Sequence, residues 1–209
     1  MGPWGVHTRP QGLAHHHGAL IVAHDNVRRR MSADHLISSP GARQAGSPKA
    51  ALPVVTVAGE ITFHINGDEV HAFHVPRAHT DGDLIVHFRK GDAVHMGDVF
   101  SRGMYPFIDT SSGGSADGMV AAVERVLALA GDKTRIIPGH GPLASKADLQ
   151  AFRNLLATVS QRIEDMRRAG RSDDEIRAAQ PSADFDATFG GGFIQPERFV
   201  RMMLDAIGR

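Results

Sequence analysis

Three short motifs in the chain carry side chains of the kinds that bind divalent metal ions. The sequences Ala-His-Thr-Asp-Gly-Asp, Gly-Asp and Pro-Gly-His-Gly contain His79, Asp98 and His140, respectively. Imidazole nitrogens and carboxylate oxygens are common ligands of zinc and related transition metals. We therefore expect these three side chains to form a metal site, provided that the fold brings them together.

Each of these residues lies two to four positions after the end of an apolar, strand-like run. The three runs are Val70–Val75, Ala93–Met96 and Arg135–Ile137. Strand ends are rigid, and the loops that leave them can direct side chains into one cleft. Taken singly, a histidine at a strand end is most often a surface residue, and an aspartate after glycine is most often a turn former. The order of all three, each after its own strand, favours a shared metal site.

A family resemblance rests on the longer motifs around these residues, Ala78-His79-Thr80-Asp81-Gly82-Asp83, Met96-Gly97-Asp98-Val99-Phe100 and Ile136-Ile137-Pro138-Gly139-His140-Gly141-Pro142. They resemble the metallo-β-lactamase-fold hydrolase superfamily. The similarity runs from about Ala19 to about Leu156, which is most of the chain.

The resemblance implies a fold, a cofactor and a role for each residue. The expected fold is of the α/β class, an αββα sandwich of the metallo-β-lactamase type. The expected cofactor is zinc, as one or two ions, with His79 binding the first metal, His140 the second, and Asp98 bridging both. Asp98 is also the candidate catalytic residue, because it would orient the water that the metals acidify. The family's reactions are hydrolyses in which that water attacks a carbonyl, phosphoryl or sulfuryl centre.

One motif of the family is missing from the sequence. The signature His-X-His-X-Asp-His, which provides two ligands to each metal, should precede the strand Ala19–Ala23, and nothing in Met1–Gly18 matches it. Those first residues show neither helical nor strand periodicity. We therefore divide the chain into an irregular, non-native or disordered N-terminus, residues 1–18, and a metallo-β-lactamase-like domain, residues 19–209, that is N-terminally incomplete. Our hypothesis is a truncated or frame-shifted family member.

Two functions follow from this incomplete ligand set. In the first, the chain is a zinc-dependent hydrolase of an ester, thioester, lactam or similar bond. His79, Asp98 and His140 could hold one zinc ion but hardly a pair, so reduced zinc occupancy is expected. In the second, the chain is a catalytically impaired remnant that acts as a binding or structural protein. The fold does not choose among substrates.

The composition excludes several other classes of protein. With 23 basic and 23 acidic residues the formal net charge is zero, so the sequence does not predict a nucleic-acid partner. No apolar run approaches the ~20 residues of a membrane span, and no signal peptide is visible. Without cysteine, neither disulfides nor cysteine-based zinc sites can form. We expect a soluble protein with a small-molecule substrate, and leave its localisation and a homodimer open.

The secondary structure expected around the motifs is an antiparallel meander followed by helices. Asn66-Gly67 predicts a hairpin turn, and the strand histidines His64, His71 and His74 are expected to face solvent. Apolar residues at three- and four-residue spacing predict amphipathic helices after Ser115, after Ser145 and after Pro196, the last of them packing on the core in preference to a second subunit. Residues 185–195 form a Gly-rich stretch. The segment around Tyr105-Pro106-Phe107 is either a substrate wall or a segment that packs its aromatic rings on the helix that follows.

Overall fold

A computed structural model describes residues 20–33, 35–36, 43–44 and 46–208, with only the backbone at 35–36 and 43–44. The predicted irregular N-terminus, residues 1–18, lies outside this part of the chain. The chain divides into two compact units, with the boundary between Glu60 and Ile61. Both are described separately below.

The first unit contains short strands and one helix. Strand β1 (Val22–His24) pairs in parallel with β4 (Val55–Val57), while the two-residue strands β2 (His35–Leu36) and β3 (Arg43–Gln44) are antiparallel. Helix α1 (Asp25–Met31) starts where the His24 imidazole accepts a hydrogen bond from the backbone N–H of Asn26 at 3.1 Å. The cap satisfies one of the N–H groups that a helix start leaves without a partner. A 3₁₀ turn covers residues 49–51.

The second unit is built on a five-stranded sheet in the order β5-β6-β7-β8-β9. Its strands are β5 (Glu60–Ile65), β6 (Asp68–Val75), β7 (Asp83–Phe88), β8 (Ala93–Ser101) and β9 (Arg135–His140). The pairs β6–β7 and β7–β8 are antiparallel, whereas β8–β9 is parallel. A parallel neighbour needs a long crossover connection, and here the chain between residues 101 and 135 provides it.

The hairpin between β5 and β6 turns as the sequence predicts. Asn66 and Gly67 have φ angles of 53° and 71°, and a two-residue turn with both residues left-handed matches the twist of a hairpin. The expectation for the strand histidines is only partly right. His64 is exposed, but His71 and His74 are half-buried, with His71 Nδ1 3.0 Å from Thr62 Oγ1 and His74 Nε2 2.9 Å from the carbonyl of Asp81.

Five helices complete the second unit: α2 (Ala116–Leu129), α3 (Lys146–Arg168), α4 (Asp173–Ala178), α5 (Ala183–Phe189) and α6 (Pro196–Ala206). Ser115 caps α2 and Ser145 caps α3, as predicted. Helix α5, which the sequence did not predict, covers the first residues of the Gly-rich stretch 185–195. None of the described helices is both long enough and apolar enough to cross a membrane.

One hydrophobic core joins the sheet to these helices. Alternate residues of the strands contribute to it, including Phe73, Ile85, Met96 and Ile136, all at most 1% exposed. The buried residues of α3 recur at three- and four-residue spacing, namely Leu149, Phe152, Leu155, Leu156, Val159 and Ile163. Helix α6 buries Phe199, Val200, Met203 and Leu204 in the same core, which confirms the predicted core packing. A homodimer stays a prediction.

Candidate metal centre

The loop that follows β6 holds His79 by its backbone and by its ring. The backbone N–H of Asp109 donates to the carbonyl of His79 at 2.9 Å, and His79 Nδ1 lies 2.9 Å from the carbonyl oxygen of Phe107. A carbonyl only accepts, so Nδ1 must carry the proton of this hydrogen bond, and in the neutral ring Nε2 keeps a free lone pair. The side chain is 18% exposed. The ring of His79 is therefore fixed in direction, with the lone pair of Nε2 available.

Asp83 fixes the shape of this loop from its far end. Its carboxylate accepts from the backbone N–H of Thr80 at 2.8 Å and from the Thr80 hydroxyl at 2.7 Å. Burial raises the pKa of the Asp83 carboxyl, while the nearby His79 and the bonds from Thr80 oppose that rise. Asp83 is thus a support of the loop that presents His79.

Asp98 lies inside a strand, where we had expected a loop after one. β8 continues through Gly97 and Asp98 as far as Ser101, and its register with β9 shifts on both sides of Gly97. Gly97 has a φ of 53°, a left-handed angle that glycine adopts without steric cost. Such bulges redirect side chains and are frequent beside functional sites. The carboxylate of Asp98 is 42% exposed.

His140 is the last residue of β9. Its carbonyl accepts from the backbone N–H of Arg102 at 2.9 Å, and its imidazole is 48% exposed. The preceding Gly139 lies directly against Asp98, so a Cβ atom there would come 2.4 Å from Asp98 Oδ1. Only a residue without a side chain allows β9 to approach the carboxylate this closely.

The three residues predicted from the sequence lie together in the structure. Nε2 of His79 is 3.8 Å from Asp98 Oδ2, and Nε2 of His140 is 3.2 Å from Asp98 Oδ1. The carboxylate therefore lies between two imidazoles, with a different oxygen facing each of them. It would attract a proton or a cation placed on either side.

The donor atoms fit one metal ion in kind but are too few for two. Zinc binds imidazole nitrogen at about 2.0–2.1 Å and carboxylate oxygen at about 2.0–2.2 Å, and a catalytic site uses three protein ligands with one open position. His79, Asp98 and His140 together provide the three ligands that one zinc ion needs. As they stand, no group of three or more His, Asp or Glu side chains among the described residues is arranged to hold a metal ion. Each imidazole faces its own carboxylate oxygen and not a shared centre.

Sequence reasoning missed the parts of the site that depend on backbone. The hydrogen bond of His79 ends on a carbonyl, which every residue type has, so no sequence signal could have identified Phe107 as its partner. The segment around Phe107 was predicted as a substrate wall or as aromatic packing on the next helix, and not as a partner of His79. Gly139 stood within a recognised motif, but its contact with Asp98 follows from the pairing of β8 and β9, which the sequence does not state.

Comparison with known proteins gives the family. The sequence pattern that defines the metallo-beta-lactamase superfamily matches residues 11–140. The chain belongs to this superfamily, as its three motifs predicted. No curated protein matches it.

Solved structures confirm the fold. A crystal structure of the BLEG-1 B3 metallo-beta-lactamase is similar with a TM-score of 0.58 and 19% identity, over 70% of this chain and 69% of that one. The protein TTHA1623, in a di-iron-bound form, is similar with a TM-score of 0.50 and 25% identity, over 69% of this chain and 67% of that one. The sec-alkylsulfatase Pisa1 from Pseudomonas sp. is similar with a TM-score of 0.61 and 11% identity, over 92% of this chain but only 37% of that one. The predicted α/β metallo-β-lactamase fold is thus confirmed.

Proposed function

We propose that the chain is a metal-dependent hydrolase whose centre is formed by His79, Asp98 and His140. The observation that carries the proposal is the Asp98 carboxylate between two imidazoles, at 3.8 Å and 3.2 Å. Membership of the metallo-beta-lactamase superfamily supports it. The proposed substrates are small molecules with an ester, thioester, lactam or similar bond.

Each of the three residues has a distinct proposed task. A bound divalent ion would supply a water acidified enough to attack a carbonyl at neutral pH. The Asp98 carboxylate would accept a hydrogen bond from that water and so fix its direction. His79 offers a nitrogen whose direction the carbonyl of Phe107 sets, an arrangement typical of metal-binding histidines. His140, nearly half exposed, lies at the side open to substrate.

Zinc is the metal that we propose, because two imidazoles and one carboxylate suit it. The same donors also suit iron in a two-histidine, one-carboxylate arrangement. TTHA1623 was solved in a di-iron-bound form, so metal analysis should include both elements. We expect no more than one ion per chain, since the described residues offer one set of three donors.

A second candidate function is a non-catalytic binding or structural protein that keeps the family's fold. What favours it is the arrangement of donors: within the described ranges, no three of them converge on one point. In that case the carboxylate and the imidazoles would pair with each other, and the fold alone would persist.

Metal content and hydrolysis, measured on the same samples, separate the two functions. The full chain is saturated with zinc, desalted and analysed for metal, and then assayed with 4-nitrophenyl acetate, a thioester and a chromogenic β-lactam. The hydrolase predicts about one zinc per chain and turnover of at least one substrate. Zinc well below one per chain, with no turnover, would establish the non-catalytic alternative. Two zinc ions per chain would contradict the shortage of ligands.

Point variants show whether the proposed residues hold the metal. Asp98→Asn and His140→Ala are expected to weaken zinc binding about tenfold or more and to remove hydrolysis. His64→Ala is the matched control, since His64 is an exposed imidazole on β5, at the opposite edge of the sheet from β9. Equal zinc affinity in all three variants would refute the assignment of the centre.

A further inference from the structure

Arg198 has an unusual position for an exposed arginine. It lies in the first turn of α6, and its guanidinium carbon is 5.0 Å from the ring centroid of Phe193 and 6.0 Å from that of Phe107. Aromatic faces attract a cation within about 6 Å. Two rings therefore hold the guanidinium group in one place, although the side chain is exposed to solvent.

Phe107 connects this guanidinium group to the candidate metal centre. Its carbonyl is the hydrogen-bond acceptor of His79, and the Phe107 and His79 rings are 5.9 Å apart between centroids. The ring-to-ring distance and the 6.0 Å from guanidinium to ring put Arg198 no more than about 12 Å from the His79 imidazole. That is within the length of a small substrate whose scissile bond lies at Asp98.

The charge of Arg198 is not neutralised within the described part of the chain. Arginines of α3 have carboxylate partners, as Arg153 has Glu124 and Arg162 has Asp184. Arg198 makes no hydrogen bond or ion pair with any described residue. Guanidinium groups recognise carboxylates through parallel hydrogen bonds, and a guanidinium group that is already held in place loses little freedom when it binds.

We propose that Arg198 determines specificity by binding a carboxylate group of the substrate, while Phe107 and Phe193 contact an apolar part of it. The substrate class is then an apolar acyl compound with a carboxylate remote from the bond that is cleaved. This inference rests on the proposed hydrolase function, because it takes the reacting end of the substrate to lie at His79, Asp98 and His140.

Binding of a matched pair of probes tests the carboxylate site without requiring turnover. The probes are 4-phenylbutyrate and its neutral amide, and their affinities for the full chain are measured by ligand-observed NMR. The wild type should bind the carboxylate about tenfold more tightly than the amide. Arg198→Gln should remove this difference and leave the amide unchanged.

A neighbouring arginine provides the control. Arg201 lies one turn further along α6 and is also exposed, but no aromatic ring of the described chain holds its guanidinium group. Arg201→Gln should keep the preference for the carboxylate, although it removes the same charge. Equal affinities of the wild type for the two probes would overturn the proposal. So would an equal loss of the preference for the carboxylate in Arg198→Gln and Arg201→Gln.

Kinetics distinguish failure of this inference from failure of the proposed function. If the chain hydrolyses esters, the ratio of kcat/KM for mono-4-nitrophenyl glutarate to that for 4-nitrophenyl butyrate should fall about tenfold in Arg198→Gln. Turnover with an unchanged ratio would contradict the role of Arg198 and leave the hydrolase intact. Absence of turnover would contradict the hydrolase, and the binding comparison would still decide whether a carboxylate binds at Arg198.

Discussion

The Oδ1 atom of Asp98 lies 3.2 Å from Nε2 of His140, although the two residues are 42 positions apart in the sequence. The parallel pairing of β8 with β9 produces this contact. Gly97 pairs with Pro138 and Ser101 with His140, with a register shift between the two pairs. The geometry of the candidate centre therefore depends on the bulge and on the residue that contacts it from β9.

Replacing Gly139 with alanine should disturb the centre directly. A Cβ atom would lie 2.4 Å from Asp98 Oδ1 and 2.6 Å from the carbonyl of Gly97, so the carboxylate or the strand must move. We expect a loss of about 1–3 kcal/mol in the free energy of unfolding, measured with urea, and weaker zinc binding. Gly131→Ala is the control, because its Cβ would meet only the Thr134 hydroxyl, at 3.7 Å. Unchanged zinc affinity in Gly139→Ala would show that the contact does not position Asp98.

The hydroxyl of Thr80 should stabilise the loop that carries His79. It donates to Asp83 Oδ1 at 2.7 Å and accepts from the N–H of Gly82 at 3.1 Å. Thr80→Val keeps the shape of the side chain but removes both bonds, so a loss of about 1–2 kcal/mol in unfolding free energy is expected. Thr188→Val, at an exposed position of α5, should change it little. A similar small effect at both sites would mean that the hydroxyl does not hold the loop.

The sequence predicted those parts of the fold that repeat or that need a particular residue type. Helix α3 follows from its apolar spacing, and the turn between β5 and β6 follows from the ease with which Asn66 and Gly67 adopt left-handed angles. The three candidate ligands were recognised because few residue types bind metals and because each of the three follows an apolar run.

What could not be predicted depends on tertiary pairing. Asp98 was expected after the end of a strand, but β8 continues past it because β9 pairs with the residues beyond the bulge. His74 was expected to face solvent, yet its ring bonds to the carbonyl of Asp81 in the following loop. Helix α5 was not predicted, and Phe189 at its end is buried in the core.

Tyr105 should anchor the segment that leads to Phe107. Its hydroxyl donates to Asp186 Oδ1 at 2.5 Å, and its ring stacks on Phe199 with centroids 4.1 Å apart. Burial, together with the bond to Asp186, holds the pKa of Tyr105 well above its usual range, so the hydroxyl stays protonated. Tyr105→Phe should cost about 1–2 kcal/mol in unfolding free energy.

A double-mutant cycle isolates the contribution of this hydrogen bond. Tyr105→Phe combined with Asp186→Ala should show a coupling energy of about 1 kcal/mol or more. Asp184→Ala is the matched partner, because Asp184 lies on the same helix but binds Arg162, and its effect should add to that of Tyr105→Phe. Additivity in both cycles would exclude the Tyr105–Asp186 bond as a source of stability.

Asp148 should make the free energy of unfolding depend on pH in the acidic range. It accepts from the Ser145 hydroxyl at 2.6 Å and from the Ser145 N–H at 2.8 Å, closing the capping box of α3, and Arg102 donates to it at 3.1 Å. The hydroxyl of Ser145 is the main cause that holds the pKa of Asp148 below its ordinary value of 3.8, with the N–H and Arg102 adding to it. A carboxyl whose pKa is lowered by folding stabilises the folded state above its unfolded pKa, and this contribution is lost as the pH falls through the folded value.

Asp148→Asn should therefore reduce the free energy of unfolding by about 1 kcal/mol at neutral pH. The difference from the wild type should shrink as the pH falls below about 3.8, because the protonated carboxyl then resembles the amide. Urea unfolding at a series of pH values measures both quantities. Asp132→Asn, at an exposed turn after α2, should have the same free energy of unfolding as the wild type at every pH. A difference between Asp148→Asn and the wild type that stayed constant with pH would show that the charge of Asp148 does not contribute, and that only the shape of the cap matters.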